Sequence, residues 1–124
     1  FPGPGSKMVK QPFLLRRRDR QAMGFAGLHE TWSDPQGGEI ETGCIITTSA
    51  NAATVAIHDR MPAIIDERDF DAWLDCSDDR ATRVDLLRPA PDDLIEFFEV
   101  SSAVNAYKND GPQLQEPVGQ AGLI

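Results

Sequence analysis

No apolar run in this chain approaches the roughly 18 residues that a membrane span requires. The succession of charged, apolar and small residues that marks a secretory leader is missing too, so a cytoplasmic setting without a membrane partner is expected. Cysteine and histidine are scarce, with two of each. Cys44 and Cys76 stand far apart, without a Cys-X-X-Cys pair or paired histidines, which excludes a zinc pattern. His29-Glu30 resembles the opening of a zinc-protease motif, but no histidine follows at the required spacing. No metal and no cofactor are expected. Cys44 sits in an apolar run and reads as a small buried side chain, whereas Cys76 reads as exposed. Positive charge is the other deficit: 12 basic against 20 acidic residues give a formal charge of −8. A protein held on duplex DNA by phosphate neutralisation is normally basic, so composition lends that role no support. The bases gather at Arg16, Arg17, Arg18 and Arg20, while acids concentrate over residues 66–99. Such a basic edge either guides a single strand or is merely a solvated strand end.

What is present describes a globular unit. At 124 residues one domain is allowed, burying about 65 per cent of its unfolded surface. Hydrophobic content of 40% lies above a disordered composition. The local pattern predicts an α+β fold: an antiparallel β-meander or barrel-like sheet with short flanking helices. Residues 12–17 and 21–31 read as strands joined by a turn at Arg18-Asp19-Arg20. A second turn follows at Asp34-Pro35-Gln36-Gly37-Gly38, and residues 39–48 return as a third strand. Residues 51–56 form a short helical turn, and residues 61–65 are short, apolar and extended. Asp66 caps a helix, with Ile65 and Phe70 as its hydrophobic staple and Phe70, Trp73 and Leu74 on one face. A second helix after Ser77 carries Ala81, Val84 and Leu87 inward and stops before Pro89. A last strand is built on Ile95, Phe97 and Phe98. Trp73 and the Phe97-Phe98 pair read as core.

Ile57-His58-Asp59-Arg60-Met61-Pro62 is the most informative stretch. It places a histidine, an acid and an arginine in consecutive positions at the junction between extended segments. Imidazole has an unperturbed pKa of roughly 6.5, which lets it give or take a proton near neutrality. Arg60 offers a planar fork of donors for phosphate or carboxylate. The plainer alternative is that His58 caps a turn and Arg60 pairs with Asp59.

Context favours chemistry. Lys10-Gln11-Pro12-Phe13, Met23-Gly24-Phe25-Ala26-Gly27-Leu28 with Trp32, and Ile46-Thr47-Thr48-Ser49-Ala50-Asn51 precede that stretch. Val100-Ser101, Val104-Asn105 and Asn109-Asp110 follow it. In order and spacing the set resembles the SOS-response-associated peptidases (SRAP), the abasic-site processing proteins. The likeness covers residues 10–118 and is most specific over residues 47–62. It resembles the C-terminal part of such a domain (residues 8–118), with residues 1–7 as expression-derived or disordered sequence and residues 119–124 as a flexible tail.

The resemblance implies a partner and a mechanism. The family's nucleophile is a cysteine directly after the initiator methionine, exposed by self-processing. It forms a thiazolidine with the aldehyde of an abasic site in single-stranded DNA. An asparagine in an Asn-Ala-Arg segment and a glutamate in a Gly-Phe-Tyr-Glu-Trp-like segment assist. None of these three occurs here, so these residues alone are expected to be inactive. Of the catalytic set only the histidine is present, as His58, while Arg60 and Thr47 would contact DNA. Two other classes remain open: an acidic protein-interaction module, and a hydrolase using His58 with Asp59. Alternation along an extended chain would point Asp59 away from His58. The uncharged stretch at residues 24–28 would leave an edge by which two copies could pair.

Overall fold

The computed structural model describes residues 10–77 and 83–118. Its strands are β1 (Phe13–Arg17), β2 (Gly24–Phe25), β3 (Gly27–Ser33), β4 (Glu39–Ile45), β5 (Thr47–Ser49), β6 (Arg60–Pro62), β7 (Ile64–Ile65) and β8 (Ile95–Glu99). Among the described residues one short α-helix, α1 (Phe70–Leu74), accompanies them. The α+β architecture of antiparallel strands with little helix is therefore as the sequence predicts. The chain divides into two units, residues 17–95 and residues 1–16 with 96–124.

The larger unit is organised by three bends. β2 pairs with β7, β3 with β4, and β5 with β6, each antiparallel. Ala26 separates β2 from β3, Ile46 separates β4 from β5, and Ala63 separates β6 from β7. At these residues each extended segment leaves one partner and joins the next. The three backbones close a ring: Ala26 N–H donates to the Ala63 carbonyl (2.8 Å), Ala63 N–H to Ile46 (2.9 Å) and Ile46 N–H to Ala26 (2.9 Å). Buried amides need partners, and the ring supplies them where the ladders break. Ala26 and Ala63 are fully buried and form the core with Ile65 and Leu86, against which Ile46, Trp73 and Leu87 pack. Three segments converge there, and two of the three ring residues are alanines, whose small side chains let the backbones approach.

Local grammar held at the helix. The Asp66 side chain accepts from Arg68 N–H and caps a 3-10 turn over Glu67–Asp69, which runs into α1. Trp73 packs on the core as expected. Phe70 instead lies against Gly24, where a Cβ would come within 2.7 Å of the ring. Only glycine leaves that approach open. Leu74 is exposed, so the expected three-residue apolar face reduces to Trp73. Ala81 falls outside the described residues, as do residues 1–7 and 119–124. Val84–Leu86 is a 3-10 turn that buries Leu86 and exposes Val84. Leu87 packs inward as expected, but the turn ends there with Leu87 at φ −86° and ψ 71°, outside helical geometry, so Leu86 takes the buried place expected of Val84.

Strand partners also differ from a simple meander. The turn after β1 forms as expected, with Arg20 N–H donating to the Arg17 carbonyl at 2.9 Å and Arg20 at φ 68°. However, β1 pairs with β8 and not with the next strand. In the smaller unit, the Phe13 and Phe97 rings meet edge to face at 6.0 Å. The Arg16 guanidinium lies 4.8 Å over Phe98 and bonds Glu96 at 2.6 Å. Phe97 is exposed, contrary to its reading as core.

The arginine run is occupied by its own neighbours. Arg17 makes a forked pair with Asp19 at 3.0 and 2.6 Å. Arg18 donates to the carbonyls of Asp93 and Ile95 at 3.2 and 3.5 Å. The Arg17 guanidinium, followed by the Gln21 amide, holds the Asp19 carboxyl below the usual aspartate range. A carboxylate lowered in this way stabilises the fold above the ordinary aspartate range and loses that contribution as pH falls through it. The pair is solvent-screened, so the effect is small.

Candidate functional site

The bend at Ile46 and the bend at Ala63 fix the position of the candidate residues. β5 begins at Thr47, directly after one bend, and β6 ends at Pro62, directly before the other. Their register pairs Thr47 with Pro62 and Ser49 with Arg60. Arg60 thus projects on the same face as Ser49 and, two residues along, Thr47. Its Nε–H donates to Thr47 Oγ1 at 3.1 Å, and Nη2 donates to the Thr47 carbonyl at 2.8 Å and to Oγ1 at 3.1 Å. Nη1 has no acceptor among the described residues. The Thr47 hydroxyl, which accepts from Arg60, keeps its own proton to donate. Arg60 and Thr47 were expected as separate contacts; they form one hydrogen-bonded unit.

His58 stands at the mouth of this unit. The turn before it is helical: Val55 N–H donates to the Asn51 carbonyl at 3.1 Å and His58 N–H to Thr54 at 3.2 Å. His58 Nδ1 lies 3.0 Å from the Arg60 amide nitrogen and 3.1 Å from the Arg60 carbonyl oxygen. The Asp59 carboxylate lies 3.3 Å from the same Nδ1. These neighbours serve both forms of the ring. With Nδ1 bare, the Arg60 N–H donates to it and Nε2 carries a proton to give. With Nδ1 protonated, it donates to the Arg60 carbonyl or Asp59, and a neutral ring then offers Nε2 as a base. The tautomer is set by whatever meets Nε2.

Asp59 corrects an expectation. Strand alternation would have turned it away from His58, but the backbone bends at Asp59 and brings the carboxylate round. Their side chains are 73% and 88% exposed, so water screens the pair. Cys44 is exposed, contrary to its reading as buried, because all of β4 is exposed; Cys76 is exposed as expected. No group of three or more metal-ligating side chains occurs among the described residues. No helix there is long and apolar enough to cross a membrane.

Two residues escaped the sequence reading. Asn51 and Thr54 are the buried polar side chains of this region. Asn51 Oδ1 accepts from the Thr54 amide and hydroxyl, both at 3.0 Å, while Nδ2 donates to the Ala90 carbonyl at 3.0 Å. The pair ties the turn carrying His58 to the loop at Ala90. An Asn with Thr three positions later is the signal that could have revealed it, since such residues cap helical turns. Asn51→Ala removes the acceptor of the Thr54 hydroxyl and the donor to the Ala90 carbonyl, while the Thr54 amide keeps the Asn51 backbone carbonyl at 3.3 Å, and should lower stability by about 1–3 kcal/mol. Urea unfolding checks this, and a change under about 0.5 kcal/mol, the size of an ordinary surface substitution, would contradict it.

Comparison with known proteins identifies the family. Residues 4–107 match the SOS response associated peptidase (SRAP) family. The abasic site processing protein YoqW of Bacillus subtilis is 38% identical over 109 residues, covering 87% of this chain and 49% of that protein. The abasic site processing protein HMCES of Gallus gallus is 36% identical over 104 residues, covering 82% and 30%. A crystal structure of a protein from Bacteroides thetaiotaomicron matches with a TM-score of 0.76 at 27% identity, covering 91% of this chain and 50% of that one. The chain spans about half the length of YoqW and of that structure. With its pattern of residues, its antiparallel architecture and this match in agreement, the chain belongs to the SRAP family.

Proposed function

We propose that this chain is the C-terminal part of an abasic-site processing domain that acts on single-stranded DNA in the cytoplasm during the DNA-damage response. His58 moves protons at the lesion, and Arg60 with Thr47 holds a flanking phosphate. The observation that carries this reading is the junction of β5 and β6. There His58 Nδ1 is served in either protonation state, and Arg60 Nη1 has no acceptor among the described residues. The relatives' names, which describe abasic site processing, support the substrate class.

The chemistry is condensation. The α-amine of an N-terminal cysteine, contributed by the other part of the domain, attacks the ring-opened aldehyde of the sugar. Loss of one water gives an imine, and the thiol sulfur then adds to the same carbon while its proton passes to nitrogen. A thiazolidine results, with one water released. Each step relocates a proton, the task a positioned imidazole performs. Arg60 lends charge-assisted donors to a phosphate oxygen. Removal of the initiator methionine to free that cysteine would be the peptidase activity.

Two measurements test the reading. Fluorescence anisotropy with an abasic single-stranded oligonucleotide should show weak, salt-sensitive binding. Arg60→Ala should flatten the salt dependence by about 0.7 in log K against log salt, the contribution of one phosphate. Equal slopes for parent and variant would remove Arg60 from the interface. The 124-residue chain should also form no adduct that survives heating, because neither Cys44 nor Cys76 is N-terminal. A heat-stable crosslink on a denaturing gel would overturn the assigned chemistry.

A further inference from the structure

The β3–β4 ribbon is open on every side that the described residues could cover. Its strands form a two-stranded sheet, and every residue of β4 and all of β3 except Gly27 are exposed. The register sets Leu28 opposite Cys44, Glu30 opposite Thr42 and Trp32 opposite Ile40. Directly opposed residues share a face, so the apolar pairs Leu28–Cys44 and Trp32–Ile40 lie on one face, on either side of the Glu30–Thr42 pair. Leu28, Trp32 and Ile40 are 58%, 51% and 52% exposed. The opposite face is mostly polar, with His29, Thr31, Ser33, Glu39 and Glu41, and carries Ile45 at its end beside Gly27. A two-stranded ribbon is marginal in water without a packing partner, and an apolar surface of this kind marks a contact.

The family match indicates the occupant. The aligned part is about half of YoqW and half of the Bacteroides structure. About half the length of each of these proteins therefore lies outside the match. A second copy of this chain fits less well. A two-fold contact through this face would bring Glu30 toward its own copy, and each copy carries a charge of −8.

We propose that the face carrying Leu28, Cys44, Trp32 and Ile40 docks a polypeptide equivalent to the half of YoqW that lies outside the match, and does so even when that half is a separate chain. The proposal rests on family membership and not on the abasic-site reading. It is tested by co-expressing the 124-residue chain with the unaligned half of YoqW and measuring co-purification and thiol labelling. A 1:1 complex is expected in which Cys44 is shielded from maleimide while Cys76 still reacts. Trp32→Lys and Ile40→Lys should each weaken the complex by about tenfold or more, as centrally placed contacts do. Thr31→Lys and Ser33→Lys, on the opposite face of the same ribbon, should leave it within about twofold, as peripheral contacts do. These two also show that a lysine on the ribbon does not itself unfold it. Failure to co-purify, or equal losses from both faces, would overturn the proposal. So would a saturating homodimer through this ribbon, or single-stranded DNA protecting Cys44 in place of the polypeptide. DNA crosslinking is not a readout, so this result and that of the proposed function stand apart.

Discussion

His58→Ala, made in a chain that contains the entire family domain, should slow abasic-site crosslinking or its reversal by about 10²-fold, the low end for one acid–base group. The effect arises from chemistry and not from folding. His58 is exposed, and among the described residues its side chain meets only the Arg60 backbone and the neighbouring Asp59 carboxylate. Its removal leaves the bends at Ala26, Ile46 and Ala63 untouched, so urea unfolding should stay within about 0.5 kcal/mol of the parent. Single-turnover rates on an abasic oligonucleotide provide the measurement. His58→Gln is the informative companion, because an amide can still hydrogen-bond at the Arg60 backbone yet cannot carry a proton back and forth. Its rate should fall with that of the alanine variant. Parent-like rates in both, or loss of folding in either, would make His58 a structural residue.

The largest effect on stability is expected at Ala63. Its side chain is fully buried beside Ala26, Ile65 and Leu86, and its amide and carbonyl both belong to the ring joining three segments. Ala63→Leu adds volume where the neighbouring backbones are held together by three hydrogen bonds of 2.8–2.9 Å. Overpacking of this kind costs about 1–3 kcal/mol, and the upper part of that range is expected because all three chains would have to separate. Ile65 packs in the same cluster, and Ile65→Val, which only removes a methylene, should cost about 0.5–1.5 kcal/mol. Denaturant unfolding of the two variants compares them directly. A stable Ala63→Leu protein would show that the ring can open and that the convergence of strands is loose. A second consequence concerns the site, since Thr47 follows Ile46 and Pro62 precedes Ala63. Forcing the ring apart should disturb the Arg60–Thr47 hydrogen bonds, which the salt dependence of DNA binding would register.

The parts of this protein that were legible from the residues are those whose cause is local. Asp66 as a cap needed only its own side chain and the amide two residues on. The turn over Asp34–Gly38 needed only a proline and two glycines, one of them at φ 98°. The helical turn before His58 likewise depends on bonds within a few residues. His58, Arg60 and Thr47 were picked out by residue type and by a family pattern, and the structure brings the three together.

What the residues could not disclose is decided by partners distant in the chain. Nothing near Phe13 indicates that its strand pairs with β8, and nothing near Cys44 indicates that its apolar run lies on an uncovered ribbon. Leu87 packs on the core as its spacing suggested, but nothing near Val84 indicates that it faces solvent while Leu86 is buried instead. Asp59 reaches His58 because the backbone bends where an extended strand was assumed. By itself the sequence determined the turn segments and most of the strand segments, which follow from chemistry within a few residues, while the family and the candidate side chains came from the order and spacing of residues 10–118. Only the tertiary structure decided which edges meet, that Ala26, Ile46 and Ala63 close a ring, and that Arg60 is held by Thr47. Hydrogen bonds between distant segments leave no local trace in the order of residues.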